Sequence, residues 1–168
     1  MQVSEHNNGV RSWDPLVDLP RLVEVDTAAG ALFDEHGLAL PEDNPTNELL
    51  AADHVLVAVA PHPVGFSIVN KLDDHAHLAE LAVHPDYGRR GIGSALLRRS
   101  CDWAREQGYA SITLTTFVDI PWNAPWYAAR GFTELAEDEW GPGLRAQWEA
   151  EREAGIMVAP RVVMIRRW

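Results

Sequence analysis

Between Gly88 and Gly93 the chain reads Gly-Arg-Arg-Gly-Ile-Gly, the stretch whose residue types and spacing point most directly to chemistry. An apolar run from Leu78 to Val83 leads into it through a break at His84-Pro85-Asp86-Tyr87, and a helical pattern of about four turns follows and stops at Gly108. Strand, glycine turn and helix N-terminus in that order make an anion site. The first helical N–H groups have no internal partner, and the helix dipole adds roughly half a positive charge. Glycines let the backbone approach a phosphate closely, and Arg89 and Arg90 bring full charges beside them. The turn lacks the lysine of a P-loop and has no evident magnesium carboxylates, so a nucleoside triphosphate suits it less well than another phosphate-bearing ligand. His75 and His77 place two imidazoles on one strand face, but no third ligand stands near and no metal is expected. Cys101, inside an amphipathic helical pattern, reads as a small buried hydrophobe rather than a nucleophile.

The stretch Leu78 to Gly108 resembles the acyl-CoA-binding motif of the GNAT superfamily of N-acetyltransferases. That family has an apolar strand, a V-x-P, and a Q/R-x-x-G-x-G/A loop that opens a helix. The V-x-P here is Val83-His84-Pro85, and the loop is Gly88-Arg89-Arg90-Gly91-Ile92-Gly93. One position departs from the pattern: Gly88 stands where the family has Gln or Arg. Further along, Tyr127-Ala128-Ala129-Arg130-Gly131-Phe132 matches the family's Y-x-x-x-G-F. The resemblance covers roughly residues 10 to 135.

Transfer of an acetyl group from acetyl-CoA to an amine, in a ternary complex without a covalent enzyme intermediate, is what the resemblance implies. The pyrophosphate is then expected against the backbone from Arg89 to Ser94, which includes Arg90, Gly91, Ile92 and Gly93, with Gly88 at the loop's start. The pantetheine arm is expected along the backbone of Leu81, Ala82 and Val83, like an added strand, with Asn123 and Trp126 beside it. This requires the strand Leu78–Val83 to splay away from Ser111–Phe117. A lysine-like amine is neutral in only about one molecule in 2,500 at pH 7, a deficit of ~4.6 kcal/mol that a general base helps to recover. Glu80 is the candidate base, at the place where the resemblance puts a catalytic glutamate; the plainer reading is a pairing carboxylate held by an arginine. Asp119 and His84 are further candidates. Tyr127 matches the family's acid for the departing thiolate, its plainer reading being a packing tyrosine. Trp122 and Trp126 shape the cleft wall; the tryptophans otherwise read mostly as core and lid, with the lining of an acceptor pocket as the alternative for Trp13, Trp140 and Trp148.

The elements that must position these residues follow from the pattern. Val10–Trp13 reads as a short strand and Leu19–Phe33 as a helix capped by Asp18, with Pro20 in its first turn. A weak helix near Asn47–Ala52 comes next. His54–Ala60, Val64–Val69 and His75–Val83 form an antiparallel meander. The helix Ile92–Gln107 presents Ile92, Leu96, Ser100 and Trp103 to the sheet and Arg98, Arg99, Arg105 and Glu106 to solvent. Ser111–Phe117 is then a parallel neighbour of His75–Val83 by a right-handed crossover. A short helix through Tyr127, a strand from Phe132, a polar helix near 141–155 and a closing strand Arg161–Arg167 complete the chain. The fold class expected is therefore α/β with layered α+β character: a GNAT-like, mixed and mostly antiparallel sheet of about seven strands with a parallel central pair, flanked by about four to five helices. The helix near 141–155 is an insertion relative to the family, expected to act as a lid or a dimer contact.

Composition bounds the rest. The 168 residues suggest a single domain over 1–168, and 46% hydrophobic with 23% charged residues is an ordinary globular balance. One cysteine and no apolar run of ~20 residues suit a cytoplasmic protein without a membrane partner, and the N-terminus has no signal-peptide core. A net charge of −11 argues against nucleic acid. It suits cationic amine acceptors, a small molecule rather than a protein N-terminus or lysine. A non-catalytic acyl-CoA sensor, which needs neither Glu80 nor Tyr127, is the alternative from another class.

Overall fold

The computed structural model describes residues 9–42 and 44–168. The leaderless N-terminus expected from residues 1–8, and Asp43 in the expected polar loop, lie outside them. A seven-stranded sheet carries the fold, in the order β1-β2-β3-β4-β5-β7-β6. The strands are β1 (Val10–Ser12), β2 (His54–Val59), β3 (Pro63–Leu72), β4 (His75–Val83), β5 (Ser111–Phe117), β6 (Thr133–Glu134) and β7 (Arg161–Arg167). Only β4 and β5 pair in parallel; every other ladder is antiparallel. The helices are α1 (Pro15–Glu35), α2 (Thr46–Ala51), α3 (Ile92–Glu106), α4 (Ala124–Ala128) and α5 (Pro142–Glu153).

Alternation along the strands divides the core by sheet face. On one face Val69, Ala76, Leu78, Ile112 and Leu114 pack against Leu97, Cys101 and Ala104 of α3 and Tyr127 of α4. On the other, Val55, Val57, Phe66 and Ile68 meet Leu22 and Val25 of α1 and Leu49 of α2. Val163 and Ile165 of β7 meet Leu144 of α5 with Trp140 and Trp148. Cys101 is buried as expected. The inward face of α3 is turned slightly from the expected one: Leu97 and Cys101 are buried with Leu96 and Ser100, while Trp103 stacks on His54 at 4.6 Å.

The expected start of α1 is corrected. The helix begins four residues before Leu19, at Pro15, with Asp14 as N-cap accepting Leu16 N–H at 3.1 Å. Asp18 lies inside the first turns, 1% exposed, where it accepts both Nη atoms of Arg11 and the N–H of Asp14. Asp14-Pro15 and Asp18-Leu19-Pro20 are rival start signals, and the chain uses the first.

The helix α5 is held at both ends. Asp73, in the β3–β4 turn, accepts N–H bonds from Gly143 (2.8 Å) and Leu144 (3.1 Å) and so caps it from across the sheet. Near its other end Glu151 pairs with Arg161 of β7 at 3.0 Å. Leu144 is 2% exposed, so α5 covers core. Among the described residues no helix is long and apolar enough to cross a membrane.

Candidate active site

The site opens where β4 and β5 part. Their parallel ladder holds only Ala76 with Ile112 and His77 with Thr113, while β5 stays paired with β7 along its whole length. The cause lies in β4. Val69 of β3 faces Leu78 and Ile68 faces Glu80, which leaves Ala79 as one extra, exposed residue. Such a bulge bends its strand and re-aims the side chains beyond it. Beyond Ala79 the backbone of Glu80, Leu81, Ala82 and Val83 runs beside an open edge instead of a β5 ladder. An amide-rich chain can add to that edge as a strand does.

The bulge also decides which face Glu80 serves. Strict alternation from Ala76 and Leu78 would put it under α3. Lying opposite Ile68 instead, it shares the face covered by α1 and α2. Thr113, Thr115 and Phe117 line the same face across the opening, because Ile112 and Leu114 are committed to the α3 side. Thr115 Oγ1 bonds to Glu151 of α5 and accepts Nη2 of Arg161 at 3.0 Å. The Arg161 guanidinium lies 4.5 Å from the Phe117 ring centroid, and its buried Nε has no hydrogen-bond partner. Burial lowers its pKa, against the pull of Glu151 and then of Glu80. Phe33 of α1 packs on Phe117 at 5.7 Å and on Trp122 at 5.4 Å, and Trp122 on His36 at 4.6 Å, giving this side an aromatic wall.

Tyr127 approaches the opening from the α3 side, packed edge-on to Trp126 (5.1 Å) and Phe132 (5.5 Å). Burial first, then the charges of Glu80 and Cys101, raise its pKa well above the ordinary tyrosine value, so the hydroxyl keeps its proton. The two residues singled out for proton transfer thus stand on opposite faces of the sheet at the opening between β4 and β5.

The loop before α3 is shaped for an anion. Gly91 is the N-cap at φ 79°, with no side-chain cap, and the helical ladder begins with Ala95 N–H on Gly91. The N–H groups of Ile92, Gly93 and Ser94 precede the first rung of the helical ladder, an arrangement that suits an anion. Arg89 holds φ 60°, a left-handed conformation uncommon for a side-chain-bearing residue. Arg89 and Arg90 are exposed, and Arg90 lies over the Tyr87 ring. A Cβ on Gly93 would make ordinary contact with the Trp126 ring at 3.5 Å, so α4 lies close against the first turn of α3 here. A side chain at Gly88 would put its Cβ 3.3 Å from the Pro85 carbonyl, a tight fit in this turn. Asn123 precedes α4, and its side chain makes no capping bond.

Several expected contributors stand elsewhere. Trp13 packs against the α1 core, and Trp140 and Trp148 pack on each other at 5.0 Å beside α5; none of the three belongs to the wall at the opening. His75 and His77 turn Nδ1 to Ser111 and Thr113 of β5, joining the parallel pair at its vertex. Among the described residues no group of three or more His, Cys, Asp or Glu is placed to hold a metal. His84 accepts the Asp86 N–H in the turn, Asp119 is exposed, and Arg99 pairs with Glu106. The Arg161–Glu151–Thr115 network and the roles of Phe33 and His36 had no signal in the sequence, since their contacts join distant segments.

The sequence model of the Acetyltransferase (GNAT) family matches residues 23–132. A [Ribosomal protein bS18]-alanine N-acetyltransferase of Escherichia coli strain K12 is 35% identical over 69 residues, which is 41% of this chain and 47% of that protein. The chain thus matches about half the length of this curated relative. The solved structure of the Escherichia coli ribosomal-protein-S18-alanine N-acetyltransferase superposes with a TM-score of 0.65 at 21% identity, over 94% of this chain and 92% of that one. An N-acetyltransferase from Thermoplasma acidophilum in complex with coenzyme A gives 0.68 at 17%, over 95% and 98%. N-acetylglutamate synthase from Neisseria gonorrhoeae, with coenzyme A and N-acetyl-glutamate, gives 0.69 at 21%, over 94% of this chain but 34% of that one. At these identities the structural likeness is one of fold.

Proposed function

The chain belongs to the acetyltransferase (GNAT) family, and from that premise we propose that it transfers an acetyl group from acetyl-CoA to a primary amine. The observation that supports this reading is the parting of β4 and β5, with Glu80 on one side of the opening and Tyr127 on the other, beside a helix N-terminus that has no side-chain cap. Acetyl-CoA would lie with its pyrophosphate on the N–H groups of Ile92, Gly93 and Ser94, with Gly88, Arg89, Arg90 and Gly91 around it. Its arm would run along Leu81, Ala82 and Val83, flanked by Asn123 and Trp126, and it supplies a thioester open to attack.

Glu80 takes a proton from the acceptor ammonium, directly or through a water molecule. The freed nitrogen lone pair forms the C–N bond to the acetyl carbon, the C–S bond breaks, and the nitrogen releases its second proton to water as the amide forms. Tyr127 gives its proton to the departing thiolate, and solvent restores both groups. The acceptor enters from the α1 and α5 side, where Phe33, Phe117 and Trp122 narrow the approach and Arg161 and Glu151 fix the floor. With α5 anchored at both ends, that enclosure favours a small amine. A protein α-amine is the second reading, favoured by the relative whose name specifies an alanine of a ribosomal protein.

Calorimetry with acetyl-CoA, followed by free-thiol release over a panel of small amines and short peptides, tests the reading. Binding and turnover are expected, with Glu80→Gln lowering kcat/KM by about 10² or more at neutral pH. Binding without turnover on any amine would convert the protein into a sensor. No binding would end the proposal.

A further inference from the structure

Arg130 carries a cation that is fixed beside the N-terminus of α3. Its Nε and Nη2 donate to Ser94 Oγ at 3.2 and 3.1 Å, and Nη1 donates to the Trp126 carbonyl at 3.0 Å. The guanidinium also lies 3.8 Å from the Trp126 ring centroid. Ser94 is in the first turn of α3, so a full positive charge is held against the positive end of the helix dipole, by a hydroxyl, a carbonyl and a ring, all neutral. Two repelling positive features held together by this many bonds make sense when a third, negative group completes them. Ser94 Oγ, which accepts from Arg130, retains its own proton to donate.

We propose that Arg130 is a phosphate-binding residue of the acyl-CoA site, supplying from just beyond the C-terminus of α4 the fixed cation that Gly88 does not supply from the loop. The inference rests on the function proposed above and adds to it a residue from outside the glycine loop. Arg89 and Arg90 are exposed side chains that must be ordered on binding. Arg130 is already oriented by three hydrogen bonds and a stacked ring, so little rotamer freedom remains to be lost when phosphate arrives. The competing role is a strut between α3 and α4. A strut acts whether or not the ligand carries phosphate, and that difference separates the two.

The experiment compares wild type, Arg130→Gln and Arg130→Lys for binding and turnover with acetyl-CoA, 3′-dephospho-acetyl-CoA and S-acetylpantetheine, which has no phosphate. Arg130→Gln is expected to weaken acetyl-CoA on the order of tenfold or more and to leave S-acetylpantetheine turnover within about twofold, with Arg130→Lys between. A penalty on dephospho-acetyl-CoA as large as on acetyl-CoA assigns the contact to the diphosphate; a penalty confined to acetyl-CoA assigns it to the 3′-phosphate. Equal losses for acetyl-CoA and S-acetylpantetheine, or no loss for either, overturn the inference while the acetyltransferase reading stands. Wild-type protein that binds no acetyl-CoA overturns both.

Discussion

Tyr127 and Glu80 matter as a pair of unlike groups. The tyrosine is buried beside Trp126 and Phe132 and holds its proton, and the carboxylate lies partly open on the other side of the gap. In the proposed reaction one serves as the acid and the other as the base. Tyr127→Phe should therefore lower kcat by about 10² or more with acetyl-CoA affinity changed less than threefold; an unchanged kcat in the thiol assay would remove Tyr127 from the chemistry. His77 makes a separate prediction about stability. Burial depresses its pKa from 6.5 to about 4, so as the pH falls the unfolded chain takes up the proton first. Stability is complete above about pH 6.5 and is lost as the pH drops toward 4, by up to about 3 kcal/mol. His77→Asn should flatten that acid limb in urea melts recorded between pH 7 and 4. Residue by residue, the sequence singles out candidates where the signal is local: Gly91 and Gly93 in the turn, Glu80 on the strand before it and Tyr127 in its motif. Arg130 and Ser94 meet across 36 positions, and Arg161 reads as the first residue of an ordinary apolar strand. Nothing local marks either arginine.

Among the elements, strands with a strong pattern came through with their limits almost intact; β4, β5 and β7 span the residues expected of them. The start of α1 did not, because two Asp-Pro signals compete within a few residues. The bulge at Ala79 was invisible for a different reason. Leu78-Ala79-Glu80-Leu81-Ala82-Val83 is apolar at all positions but one, so no break in alternation shows where the register slips. Yet this extra residue turns Glu80 toward the acceptor face and parts β4 from β5. Deleting Ala79 keeps Leu78 opposite Val69 and Glu80 opposite Ile68 and leaves β4 free to follow β5. The shortened protein is expected to melt cooperatively while acetyl-CoA affinity falls by about 10² or more, the arm having lost its open edge. Unchanged affinity by calorimetry would show that the gap has another origin. The helix α5 was legible as a helix but not as a fixed one, since its cap, Asp73, lies 70 positions upstream of Gly143.

At the scale of the molecule, a single sheet supplies both halves of the site. Its α3 face carries the glycine turn and Tyr127, and its α1 and α5 face carries Glu80, Arg161 and the aromatic wall. The mixed sheet with its one parallel pair was legible from the order of patterns, because short turns force antiparallel neighbours and the helical crossover forces the parallel one. What the sequence could not show was that the two faces communicate through a hole in the sheet. That hole is built by the count of residues in β4 rather than by two bodies moving apart, and this has a consequence in time. A slot already open when the ligand arrives needs no closing step after encounter. Observed rates of acetyl-CoA association should rise linearly with concentration in stopped-flow, from a single exponential with kon of about 10⁵–10⁷ M⁻¹s⁻¹. A plateau at high concentration would mean that the strands must first rearrange. Without one, turnover is limited by chemistry or by departure of products, and never by the wait for the cofactor's place to form.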